Sequence, residues 1–141
     1  MTLQIKKIST RKEFKTFARF ANKLYKGNPY YVPSMPFDDL NTFDSKTNGA
    51  YDFCEAEFYL AYKDGEVVGR VAAIINYKAN EAWKVKQVRF GWIDFIDDIN
   101  VSSALLEAVA EFGRSHGMTQ IVGPLGFTDF DPEGMLVEGY D

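Results

Sequence analysis

One cysteine and one histidine are all that this 141-residue chain has of the two side chains most often recruited as nucleophile, shuttle or soft metal ligand. A lone Cys54 cannot close a disulfide within the chain. With no CxxC pair and no histidine beside it, it does not read as a zinc ligand, and a packed small hydrophobe is its expected role. Basic charge is short as well: 16 Lys and Arg against 20 Asp and Glu give a net charge of −4, which argues against the basic face of a general nucleic-acid binder. No apolar run reaches the length of a membrane span. The opening MTLQIKKISTRKEF lacks the apolar stretch and cleavage site of a secretory signal, so a cytoplasmic location and no membrane partner are expected. Asn100-Val101-Ser102 matches a glycosylation pattern, but without secretion it reads more simply as a helix cap.

What the chain does hold is apolar and aromatic: 46% hydrophobic residues, with twelve Phe, eight Tyr and two Trp. That composition belongs to a folded domain, and residues 1–141 read as one domain without an internal repeat. Leu3, Ile5 and Ile8 start a strand. Ser9-Thr10 followed by Glu13 forms a capping box, and Phe14, Phe17, Ala21 and Leu24 recur at helical spacing before Gly27 and Pro29 end the helix. Two prolines make YYVPSMPF an extended link, with a short helix expected over 36–44. Asp64-Gly65 between two apolar runs predicts a tight hairpin, because the primed turn requires positive φ. Val67 to Ile75 is almost continuously apolar, as in a central strand covered on both faces. Gln87 to Phe95 predicts a further strand, with Val88, Phe90 and Trp92 on one face and Ile93 and Phe95 on the other, and KANEAWKVK before it reads as a polar turn. Val101, Leu105, Ala108, Val109 and Phe112 mark a helix ending at Gly117. Met118 to Val122 then predicts a strand parallel to the one before that helix.

This order, together with the hairpin YKDGEVVGRVAAI, the helix LLEAVAEFGRSHGM and the strand TQIVG, resembles the front half of the GNAT family of N-acetyltransferases. KLYKGNPYYVP, GRVAAIIN and GPLGFTDFDPEGMLVEGYD resemble a set of longer GNAT-like bacterial proteins. The resemblance implies an α+β fold, β-α-α-β-β-β-α-β, with a mixed, mostly antiparallel sheet, helices on both faces and the C-terminal part of the fold missing, hence a piece of a longer protein. It implies acetyl-coenzyme A or another acyl-coenzyme A as cofactor, a small-molecule amine as acceptor and no metal. In the family, a pattern close to Arg/Gln-x-x-Gly-x-Gly/Ala holds the diphosphate at the strand-to-helix junction. The cradle then falls on Phe95, Asp97, Asn100, Val101 and Ser102. Here an acid replaces the basic or amide residue, and Asp98, Asn100 and Ser102 stand where the pattern has small residues, so a weakened anion site is expected, with Asp97 or Asp98 able to cap the helix on the donors a phosphate would use.

The resemblance offers Asp94 as the base that takes the proton of the amine, against the plainer reading of an outward-facing acid at a strand end. Tyr30 and Tyr31 are substrate-binding candidates if their link borders the cleft; otherwise they anchor the proline-rich segment. Asp129 and Asp131 join Asp94, Asp97, Asp98 and Glu133 as carboxylates at the ends of two neighbouring parallel strands. Such a crevice would draw an amine or a divalent cation, while exposed turn acids are the plainer alternative. The unpaired edge of the last strand makes a homodimer an expectation.

Overall fold

Two residues with positive φ, Asp64 at 52° and Gly65 at 84°, turn the chain back on itself and join β2 (Cys54–Lys63) to β3 (Glu66–Asn76). The expected hairpin is therefore the centre of the fold. The computed structural model of the chain describes residues 3–24, 26, 43 and 48–123. The helix expected over 36–44, apart from Phe43, lies outside the described residues, as do Tyr30, Tyr31, Asp129 and Asp131. Around the hairpin stand β1 (Leu3–Lys7), α1 (Arg11–Leu24), a 3-10 turn (Gly49–Asp52), α2 (Tyr77–Trp83), β4 (Gln87–Phe95), α3 (Ile99–Ser115) and β5 (Gln120–Val122). The strands lie in the order β1-β2-β3-β4-β5, antiparallel except for the last pair, which is parallel.

α1 starts where the capping box predicts. Thr10 Oγ1 accepts from Glu13 N–H at 3.2 Å, and Glu13 Oε1 accepts from the Ser9 and Thr10 N–H groups at 3.1 Å. Its Phe17 and Ala18 pack with Phe43, Phe58, Leu60, Ile74 and Trp92 on one face of the sheet. On the other face Val101, Leu105, Val109 and Phe112 of α3 close over Val71, Ala73, Ile75 and Val88. From Val68 onward every residue of β3 is buried, as the continuous apolar run implies for a strand covered twice.

Two expectations need correction. Residues 77–83 form a helix instead of a polar turn. Asn76 caps it by accepting from Ala79 N–H at 2.9 Å, and Lys84, with φ 54°, ends it by donating its N–H to the Asn80 and Glu81 carbonyls. No residue of α2 is buried, so it carries no apolar periodicity from which it could be read. The second correction concerns β4, where Trp92 faces α1 while Val88, Phe90, Ile93 and Phe95 face α3. Arg70 pairs with Asp94 and Ala72 with Gly91, so three steps along β4 oppose two along β3. The extra residue is a β-bulge, and Trp92 has φ 44°. A one-residue slip exchanges the faces of everything beyond it, which a plain alternation rule does not foresee.

Candidate functional site

The bulge, between Gly91 and Asp94, lies near the end of β4, which stops at Phe95 before α3 begins at Ile99. β5 pairs only with Gln87, Val88 and Arg89 of β4 among the described residues, and β4 runs on for six residues past that point. At Gly123, just after β5, a Cβ would fall 2.3 Å from the Phe90 carbonyl oxygen, so the chain still runs close against β4 there. Ligands in such sheets sit at the carboxyl ends of parallel strands, where the connections part, and bulges gather beside active sites.

Asp94 follows the bulge and is not an outward-facing solvated acid. Its Oδ2 accepts from Arg70 Nε at 2.9 Å and from the Arg70 terminal nitrogen at 2.8 Å, and its side chain is only 13% exposed. Arg70, 4% exposed, also donates to the Phe17 carbonyl at 2.7 Å and lies over the Phe17 ring. One guanidinium thus joins α1, β3 and β4. This partner is legible in sequence only as a cation inside the apolar run GRVAAII.

The start of α3 tests whether a diphosphate fits. The cap expected at Asn100 to Ser102 sits earlier, those residues lying inside the first turn: Asp98 is the N-cap, its Oδ1 accepting from Asn100 N–H at 2.9 Å and its carbonyl from Val101 and Ser102 N–H at 3.0 and 3.2 Å. Lys63 Nζ, at the end of β2, lies 3.1 Å from Asp98 Oδ2. This bond to Lys63, with the Asn100 amide, holds the Asp98 carboxyl below the usual carboxylate range. The amide that an incoming anion would use is therefore already taken by a carboxylate of the chain. With Asp98 seated this way, a diphosphate held in the manner of the family would have to displace that carboxylate from the Asn100 amide. Lys63 and Arg70 are the two cations at this corner that a search for loop motifs passes over.

Of the remaining candidates, Phe95 is half-buried against the α3 side, and Asp97 and Asn100 are exposed. Val101 is fully buried in the core, so its side chain is structural and only its backbone reaches the corner. Ser102 Oγ donates to the Ile99 carbonyl at 3.1 Å. Asp94 and Asp98 each hold their own cation, which breaks up the described half of the expected acidic crevice. Among the described residues no group of three or more His, Cys, Asp or Glu could hold a metal ion. A cleft of about 470 Å³ bounded by Tyr51, Phe53, Glu55 and Tyr77 lies at the opposite end of β2 and β3 and shares no residue with this corner.

The strand order, the two covered faces and the bulged β4 running into α3 define a GNAT-like fold. Solved GNAT acetyltransferases share it, among them a tandem GNAT protein from the clavulanic acid biosynthesis pathway, with a TM-score of 0.65 over 95% of this chain and 40% of that one at 13% identity. No protein-family model matches the chain. Protein YghO of Escherichia coli (strain K12) is 32% identical over 131 residues, which is 93% of this chain and 33% of that protein. A bacterial ceramide synthase of Caulobacter vibrioides is 28% identical over 140 residues, 99% of this chain and 36% of the relative. The chain thus spans about a third of the length of the curated relatives it matches.

Proposed function

We propose that the chain is part of an acyl-coenzyme A-dependent N-acyltransferase whose acceptor is a long-chain amine. The observation that carries this reading is the bulged β4 running into the α3 corner with the Asp94–Arg70 pair beside the bulge, in a chain similar along nearly its whole length to a bacterial ceramide synthase. A ceramide is an N-acylated long-chain amino alcohol, so making one is amide formation on an amine. An acyl thioester supplies the activated carbonyl. Forming the N–C bond would break the C–S bond and release a thiol, the nitrogen would lose a proton, and Asp94 is the carboxylate beside the bulge, among the described residues, that could accept it. With Oδ2 holding Arg70, that proton would go to Oδ1. Arg70 keeps the carboxylate at a fixed height on the α1 face.

Asp98 favours a second reading, a binding or assembly module that keeps the fold without gripping a coenzyme. A carboxylate about 5 Å from a phosphate costs roughly 1 to 3 kcal/mol at effective dielectrics between 80 and 20, while a helix N-terminus returns about 0.3 to 1 kcal/mol. Thermal unfolding with palmitoyl-coenzyme A separates the two. The first reading expects a rise in melting temperature, equivalent to about 2.7 kcal/mol at a hundredfold excess over the dissociation constant. It also expects Asp98→Asn, which keeps a competent cap, to tighten binding severalfold. If neither protein responds to millimolar ligand, the acyltransferase reading fails and the module stands.

A further inference from the structure

Trp83 is the most exposed large apolar side chain among the described residues, at 79%. A single exposed tryptophan is ordinary on a protein surface; the setting of this one is not. It closes α2, a helix with no buried residue, and its neighbours Ala82, Lys84 and Lys86 are exposed too. The tip is nevertheless firmly built. The Val85 N–H donates to the Asn80 carbonyl at 3.0 Å, Asn80 Nδ2 donates to the Gln87 carbonyl at 3.0 Å, and the left-handed Lys84 caps the helix. An outward tryptophan on a hydrogen-bonded platform loses little freedom on docking.

Charge decides what it docks to. Residues 77–86 hold Lys78, Lys84 and Lys86 against Glu81, a local +2 on a chain whose net charge is −4. Lys78 Nζ lies 5.5 Å from the centre of the Phe53 ring, whereas Lys84 and Lys86 make no ion pair among the described residues. We propose that this tip docks on the surface of an anionic bilayer, with Trp83 entering the headgroup layer and Lys84 and Lys86 facing lipid phosphates. Tryptophan favours that layer because its ring is apolar and its indole N–H is polar. Lysines beside it are attracted only within a Debye length of about 10 Å, so the acidic remainder of the chain does not cancel the contact. A nucleic acid long enough to pass beyond the tip would meet that acidic remainder. The absence of a spanning segment, which underlies the expectation of no membrane partner, does not bear on surface docking, which needs no span, and the proposal is independent of the acyltransferase reading.

Co-sedimentation of the 141-residue chain with vesicles tests it. The chain should pellet with phosphatidylglycerol vesicles and not with pure phosphatidylcholine, and brominated lipid should quench its fluorescence. Each lysine near an anionic surface is worth roughly fivefold in partitioning, so the double change Lys84→Gln and Lys86→Gln should weaken binding about 30-fold. Trp83→Ala should weaken it about tenfold or more and abolish the quenching, leaving the melting temperature nearly unchanged because the side chain is 79% exposed. The proposal is overturned by no binding to phosphatidylglycerol, by binding that Trp83→Ala retains, by lipid-free self-association that Trp83→Ala abolishes, or by RNA binding in place of vesicle binding.

Discussion

His116 is the one histidine of the chain, which makes it a reporter for the far end of α3. Its Nδ1 lies 2.9 Å from the Phe112 carbonyl and its Nε2 lies 2.8 Å from Glu55 Oε2, 61 residues away in sequence. Both ring nitrogens therefore face acceptors, and only the protonated ring can donate to both. The Phe112 carbonyl, and after it Glu55, hold the imidazolium above the ordinary histidine value, burial working against them. A folded pKa above the unfolded one contributes stability that is complete below pH 6.5 and is lost as pH rises through the folded value. A proton NMR titration should find the His116 resonance moving above the ordinary range. Glu55→Gln should lower that midpoint without returning it fully, since the Phe112 carbonyl remains. Glu13 runs the other way: Lys6 first, then the Ser9 and Thr10 amides, bring its carboxyl down from 4.5 to about 2. Its contribution is present above pH 4.5 and fades as pH falls toward about 2. Glu13→Gln, which can still close the capping box, should flatten the acid limb of the unfolding curve while keeping α1 helical by circular dichroism.

At the scale of elements, the contact between α3 and the sheet depends on Gly113. A Cβ there would meet Val88 Cγ1 at 2.6 Å and Val88 Cβ at 3.1 Å. Glycine costs a helix interior about 1 kcal/mol relative to alanine, so Gly113→Ala would ordinarily stabilise. Here the branched Val88 has little rotamer freedom to give way, and overpacking costs roughly 1 to 3 kcal/mol. Gly113→Ala should therefore lower the melting temperature. Val88→Ala combined with it should recover most of the loss, a non-additivity that a double-mutant cycle measures. The same scale explains what could be read in advance. The hairpin, the capping box and the α3 stripe announce themselves within a few residues, through positive-φ dipeptides, reciprocal side-chain bonds and apolar spacing. The phase of β4 does not, because a bulge depends on how β3 and β4 pair and no residue type at Gly91-Trp92 dictates it. α2 escaped notice because periodicity reports burial and this helix buries nothing. At the corner, Asp98 as a cap was open to inference from its place before the α3 stripe. Its partner Lys63 lies 35 residues away, and only the register of the hairpin brings it there.

For the molecule as a whole, Arg70 joins parts that the chain order keeps apart. The Phe17 carbonyl lies 53 residues away and the Asp94 carboxylate 24 away, and both meet one nearly buried guanidinium. Withdrawing a charge of this kind from water is expensive, and it is tolerable here because the nitrogens bonded to Phe17 and Asp94 point at oxygen acceptors. Removing one member strands the other: Arg70→Met leaves a little-exposed carboxylate beside the bulge, and Asp94→Leu leaves a buried cation. Each should cost about 3 to 5 kcal/mol in urea unfolding, the range for breaking a buried pair. The double variant, with no stranded charge, should be markedly more stable than either single one. A double variant as unstable as the sum of the two would mean that the pair does not act as a unit. If Asp94 is the base of the proposed reaction, the double variant, which lacks it, should fold well yet fail in acyl transfer from a fatty acyl-coenzyme A to a long-chain amine. Recovered stability without recovered turnover would separate the structural contribution of the pair from the chemistry of the Asp94 carboxylate.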